Sequence, residues 1–143
     1  MSMNFLAQYK ASIRYLPLID EVDYNKCKFF KSDSNGILLP NHKDADPFDW
    51  AATCVTRYGN IPVYILIPGQ KFDILGTRHG RGDGWYDRFL SRVPSLWLRI
   101  GIADISQFSS LPLKRHNWDE PVDWIMIHDA SAWKAYKTDR RNR

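Results

Sequence analysis

Apolar residues in this chain fall in short runs whose spacing changes from one run to the next. Ser12 to Ile19 (SIRYLPLI) is rich in β-branched and aromatic residues, and Pro17 places it at a strand end or a sheet edge. The stretch 20–25 is polar and turn-like. Lys26 to Lys31 (KCKFFK) reads as a second short strand, a hairpin partner of the first. Ser32 to Gly36 is a turn, Ile37 to Leu39 a short apolar stretch ended by Pro40, and 41–46 another polar loop. Asp46-Pro47 starts a helix, with a capping carboxylate and then proline in the first turn. Phe48, Ala51, Ala52 and Val55 give that helix one apolar face, and Gly59 closes it.

Residues 61–67 (IPVYILI) form a continuous apolar run, read as a buried strand and stopped by Pro68-Gly69. Tyr86, Phe89, Leu90 and Val93 return to helical spacing, and Pro94 stops that helix. Leu96 to Ala103 reads as a buried strand. The stretch 104–118 is a long connection with two short turns, and Val122 to Ile127 is the last strand. Asp129 is positioned to cap a closing helix, Ala130 to Tyr136. Strands alternating with helices predict an α/β protein with a mostly parallel sheet flanked by helices. We divide the chain into an N-terminal arm (1–14), a single α/β domain (15–136) and a basic C-terminal tail (137–143). Ligands of such sheets sit beyond the carboxyl ends of the strands.

A chain of 143 residues fits one domain, and 44% hydrophobic with 25% charged residues is a globular composition. No apolar run approaches the length of a membrane span, so no membrane partner is expected. The N-terminus lacks the long apolar segment of a signal peptide. Cys27 and Cys54 stand alone, as reduced thiols do in an intracellular protein, cytoplasmic or organellar. The formal net charge is +4. Part of that excess lies near the end, where Lys134, Lys137, Arg140, Arg141 and Arg143 face only Asp139. That tail is either a solvated end or a contact for nucleic acid.

The chemistry concentrates between the apolar run and the second helix. Gly76, Gly80, Gly82 and Gly84 lie in a polar loop with Arg78, Arg81, Asp83, Asp87 and Arg88 around them. Strand, glycine-rich loop and helix start can cradle an anion, although a plain turn has the same composition. Arginine suits forked contacts with phosphate, and a nearby aspartate suits a magnesium ion shared with that phosphate. The spacing is neither a P-loop nor a dinucleotide fingerprint.

Pro68-Gly69-Gln70-Lys71-Phe72-Asp73 and the run from Gly76 through Thr77-Arg78-His79-Gly80-Arg81-Gly82-Asp83-Gly84-Trp85-Tyr86-Asp87-Arg88-Phe89 to Leu90 resemble a known signature. It is that of the 5-formyltetrahydrofolate cyclo-ligases, P-G-x-x-F-D followed by G-x-R-L-G-x-G-x-G-Y-Y-D-R-x-L. Ile100-Gly101-Ile102-Ala103 with Gln107, Leu111-Pro112, His116 and Pro121-Val122-Asp123 resemble further family motifs, so the likeness spans about residues 15–129. The resemblance implies a cyclo-ligase-like three-layer sandwich, here truncated. It implies ATP and Mg²⁺ as cofactors and a folate-like small molecule as substrate. Arg78 and Tyr86 take catalytic places in that comparison. The resemblance likewise implies that Arg78, Gly80, Arg81, Gly82, Gly84, Trp85 and Tyr86 hold nucleotide and that Asp87 is the metal-side carboxylate.

The sequence also departs from the family. Its N-terminal third has no counterpart, which leaves room for a protein partner that completes it. Lys10 and Arg14 copy the spacing of an early family motif but lie against the Leu16-Pro17 stretch, so we read the match as coincidence. No residue matches the folate-side glutamate, and Leu39 stands where another family glutamate does. His79, Asp83, Trp85, Asp104 and Ser106 also differ from the pattern. Two readings stay open, a cyclo-ligase-like enzyme with ATP-dependent chemistry and a non-catalytic structural or interaction subunit of a larger assembly, ribonucleoproteins included.

Overall fold

The apolar run at 61–67 becomes the middle of the molecule. In a computed structural model, which describes residues 5–30, 33, 35–40 and 45–140, β3 (Val63–Pro68) is buried at all six positions. It lies between β1 (Ala11–Tyr15) and β6 (Leu98–Asp104), parallel to both. β2 (Ile37–Leu39) pairs parallel with β1, and β8 (Trp124–Asp129) parallel with β6. β9 (Ala132–Lys137) closes the far edge antiparallel to β8. The sheet order is thus β2-β1-β3-β6-β8-β9.

Both faces of the sheet are covered, which is why its central strands read as continuous apolar runs rather than as alternation. On one face Ile13, Ile65, Ile67, Ile125 and Ile127 meet α1 (Pro47–Tyr58) and α2 (Trp85–Leu90). On the other, Tyr64, Leu66, Ile100, Ile102 and Met126 meet Leu6, Tyr24, Cys27 and Phe30. The fold is α/β in three layers, with both α-helices of the described residues on one side. Each fully buried Ile or Leu of this core stabilises it by about 2 kcal/mol.

Several elements differ from those the sequence predicts. Residues 11–14, placed with the arm, belong to the sheet, and Ile13 is fully buried. Pro17 follows the strand. The strand read over Lys26 to Lys31 does not form over 26–30, and Lys31 lies outside the described residues. Tyr24–Lys26 is a 3₁₀ turn whose donors are used locally, since Asp23 accepts from the Asn25 amide at 2.9 Å and Cys27 N–H bonds Tyr24 O. The buried stripe of α1 is Pro47, Ala51, Cys54 and Tyr58. Phe48 stays half out, under the Arg92 guanidinium at 4.7 Å. The closing helix is absent. Ala130, at φ 57°, turns the chain back so that β9 pairs along the whole of β8. Six cross-strand pairs outweigh the local propensity of a short helix.

Charge in the C-terminal region is partly spent at home. Lys134 pairs with Asp129 at 3.2 Å, and Arg140 with the buried Asp123 at 2.7 Å. Arg141 and Arg143 lie outside the described residues. No helix among the described residues is long and apolar enough to cross a membrane. Both cysteines are free and buried, and burial pushes the Cys54 thiol up to about 12.

Candidate active site

The chain leaves the carboxyl end of β3 and immediately builds a small second sheet. β4 (Lys71–Asp73) pairs antiparallel with β5 (Arg78–His79) and parallel with β7 (Phe108–Ser109). Asp73, buried, organises the turn by accepting from the Leu75 and Thr77 amides at 2.9 and 2.8 Å. β5 thereby sets Arg78 beside the strand end. Its Nε donates to Pro68 O at 2.6 Å, and its guanidinium lies 4.9 Å over the Tyr86 ring. Among the described residues no carboxylate reaches ion-pair distance of Arg78. Burial lowers its pKa, opposed from further away by Tyr86, Asp87, Asp83 and Glu21.

The loop glycines serve two different ends. A Cβ at Gly80 would stand 2.7 Å from an Nη of Arg78, so that glycine makes room for the guanidinium. Gly82 and Gly84 have open space around them but φ of +93° and +68°, a backbone that L-residues rarely adopt. Asp83 just before the helix accepts from the Trp85 amide at 3.0 Å, and its own carbonyl takes Arg88 Nη2 at 3.1 Å. Asp83 therefore works as a turn carboxylate, and Arg81 turns instead to Asp20 at 2.6 Å.

Beyond the loop opens a cleft of about 870 Å³. One wall is the loop with Arg78, Asp87 and Arg88; the other is Lys114, His116, Trp118 and Asp119 from the β7–β8 connection. Asp87 ties the walls together, since its Oδ1 accepts from the Glu120 amide at 3.0 Å. Burial raises its pKa, and the Glu120 N–H and Arg78 oppose that shift. A second, smaller recess is lined by Asp20, Glu21, Pro68, Gln107 and, from the cleft side, Arg78. The Gln107 amide donates to Gly69 O at 3.2 Å.

The sequence model of the 5-formyltetrahydrofolate cyclo-ligase family matches residues 19–128. The chain belongs to this family. The solved structure of a 5,10-methenyltetrahydrofolate synthetase from Mycoplasma pneumoniae superposes with a TM-score of 0.55 at 22% identity, covering 82% of this chain and 72% of that one. This likeness gives the fold. No curated protein matches the sequence.

Within this cyclo-ligase fold the residues singled out from the sequence separate into two groups. Arg78, Gly80, Arg81, Gly82, Gly84 and Asp87 all line the cleft. Trp85 and Tyr86 do not. Trp85 is 2% exposed, stacks on Phe89, and its indole N–H donates to Ala45 O at 2.9 Å. The aromatic at the first position of α2 points into the helix–sheet core, so Trp85 packs there and lies outside the cleft lining. Tyr86 is equally buried and carries Arg78 on its ring, a support rather than a cleft wall. Leu39, in place of a glutamate, is a core residue.

Other site residues went unread in the sequence. Glu21 and Asp20 looked like part of a polar turn, and only the parallel pairing of β1 with β3 brings them beside Arg78. The signal for Glu21 was its position, shortly beyond a strand end on the ligand side of a parallel sheet. Lys114 joins the cleft because its carbonyl accepts from His79 Nε2 at 2.7 Å. Among the described residues no cluster of three or more His, Cys, Asp or Glu could cage a metal. The donor set around Asp87 fits an ion that shares its shell with phosphates and water, as magnesium does.

Proposed function

We propose that the chain is an ATP-dependent cyclo-ligase that converts 5-formyltetrahydrofolate, or a close folate relative, to its methenyl form. The observation that carries this reading is the position of Arg78. It borders both the cleft of the glycine loop and the recess with Glu21 and Gln107, and among the described residues no carboxylate lies within ion-pair distance of it. A buried cation at the junction of two compartments suits a reaction in which a phosphoryl group passes between two substrates.

In the reaction the formyl oxygen attacks the γ-phosphorus, and the bond to the bridging oxygen breaks with its electron pair leaving on ADP. The neighbouring nitrogen then bonds to the formyl carbon. The carbon–oxygen bond breaks, phosphate departs with that pair, and the nitrogen's proton is lost. The protein's contribution is positional and electrostatic. The loop 80–84 presents backbone to the phosphates. Arg78, Arg81 and Arg88 offset their charge, and Arg78 stays beside the transferred group. Glu21 and Gln107 offer an acceptor and an amide to the polar edge of the folate. Magnesium, held by Asp87 together with the phosphates, would supply further charge neutralisation at the γ-phosphate.

The test is direct. Protein with ATP, magnesium and 5-formyltetrahydrofolate is expected to generate the absorbance of the methenyl product, and Asp87→Asn to abolish it. No product, together with no ATP-induced rise in melting temperature, would leave the family's fold without its chemistry and favour the non-catalytic reading.

A further inference from the structure

The wall of the cleft opposite the glycine loop carries a feature that the reaction chemistry does not use. His116 and Trp118 stack with ring centroids 4.6 Å apart and planes 6° from parallel. Trp118 is 67% exposed, the one tryptophan in the exposed class among the described residues. The turn beneath is closed from both ends, with Asp119 N–H bonding His116 O at 3.1 Å and His116 N–H bonding the Asp119 carboxylate at 2.8 Å. The pair is therefore built before any ligand arrives. One indole face is covered by imidazole, and such an arrangement favours a further flat ring.

Resting on the nucleotide reading above, we propose that the His116–Trp118 pair is the platform for the nucleotide's base. The cleft is the compartment large enough for a nucleotide, at about 870 Å³ against about 30 Å³ for the recess at Glu21. Phosphates on the 80–84 loop and a base on the opposite wall fill it from side to side. Stacking on an indole accepts any base, because every base has a π-face. The platform therefore selects for the presence of a base and discriminates weakly between bases.

The test is calorimetric binding of ATP, GTP and inorganic tripolyphosphate, each with magnesium, to the wild-type chain and to Trp118→Ala and Trp118→Phe. Trp118→Ala is expected to weaken ATP and GTP roughly 10- to 100-fold, the range of one lost base–aromatic stack. Trp118→Phe keeps most of the affinity, and tripolyphosphate binds all three proteins alike. Equal binding of ATP to the wild type and Trp118→Ala overturns the platform and leaves the nucleotide reading intact. Loss of 5-formyltetrahydrofolate affinity in Trp118→Ala with ATP unchanged overturns it in favour of the pterin ring. A wild-type chain that binds no ATP overturns both. Because Trp118 is exposed, its variants keep the wild-type melting temperature, which separates lost binding from lost fold.

Discussion

Among the described residues two arginines are taken out of water, Arg78 and Arg99, and they are held in different ways. Arg99 on β6 is 2% exposed and meets Glu120 at 3.0 Å, Leu90 O at 3.1 Å and Pro121 O at 3.4 Å. Its charge is spent inside the protein, fastening the end of α2 to the segment that gives Asp87 its hydrogen bond. Arg78 on β5 has one carbonyl and the face of a tyrosine, with carboxylates only at a distance. Burying a cation costs free energy unless it is paired. Arg99 recovers much of that cost through Glu120 and the two carbonyls, although its Nε has no hydrogen-bond partner among the described residues, whereas Arg78 has no such ion pair there, and on the proposed function an incoming anion supplies one. The contrast lies in which groups share the burial: a carboxylate and carbonyls for Arg99, a carbonyl and an aromatic face for Arg78.

The sharpest way to break this comparison is to remove each cation in turn. Arg78→Met is expected to lower kcat/KM by about 10²- to 10³-fold, the usual loss for one preorganised charge-stabilising group, with little change in melting temperature. Arg99→Met is expected to lower stability in urea by about 3 kcal/mol, with turnover per folded molecule largely kept. If Arg78→Met destabilises as much as Arg99→Met, or Arg99→Met silences turnover without unfolding, the distinction fails.

Gly80→Ala makes a subtler cut. Its methyl would press on the Arg78 guanidinium without touching backbone. ATP affinity is expected to fall about tenfold, some 1.4 kcal/mol, while the melting temperature moves by less than about 4 °C. The smallest effect concerns pH. Burial raises the Asp87 pKa, so its carboxylate takes up a proton at a higher pH than an ordinary aspartate. The acid limb of kcat/KM, which reports the free enzyme before magnesium and phosphates arrive at Asp87, should therefore lie above the ordinary aspartate range. The sign for stability is reversed, because the fold favours the protonated form. This one group stabilises the fold more as pH falls through its raised value. Asp87→Asn keeps an acceptor for the Glu120 N–H, and its stability at neutral pH should stay within about 0.5 kcal/mol of wild type. An acid limb at the ordinary value would remove the argument from burial.

That the glycine loop, its arginines and Asp87 share one cleft was legible in the sequence because they are close neighbours along the chain. The central strands were legible for the same reason, as unbroken apolar runs. What escaped depended on distant parts of the chain. Glu21 and Trp118 become site residues only through the placing of β1 and of the β7–β8 connection. Trp85 matched a signature position, yet α2 turns that position to the core. The terminal strand β9 was misread because its partner, the open edge of β8, is a tertiary fact that periodicity does not carry.

The hydrogen bond from Glu120 to Asp87 has a mechanical consequence. It ties the two sides of the cleft together, and it does so alongside the bond from His79 Nε2 to Lys114 O at 2.7 Å and that from Arg115 to Thr77 Oγ1 at 2.8 Å. Spacing between the walls is then held by polar contacts at more than one level. An added residue between Asp119 and Pro121 would shift the Glu120 N–H relative to Asp87 and disturb that spacing at one of them.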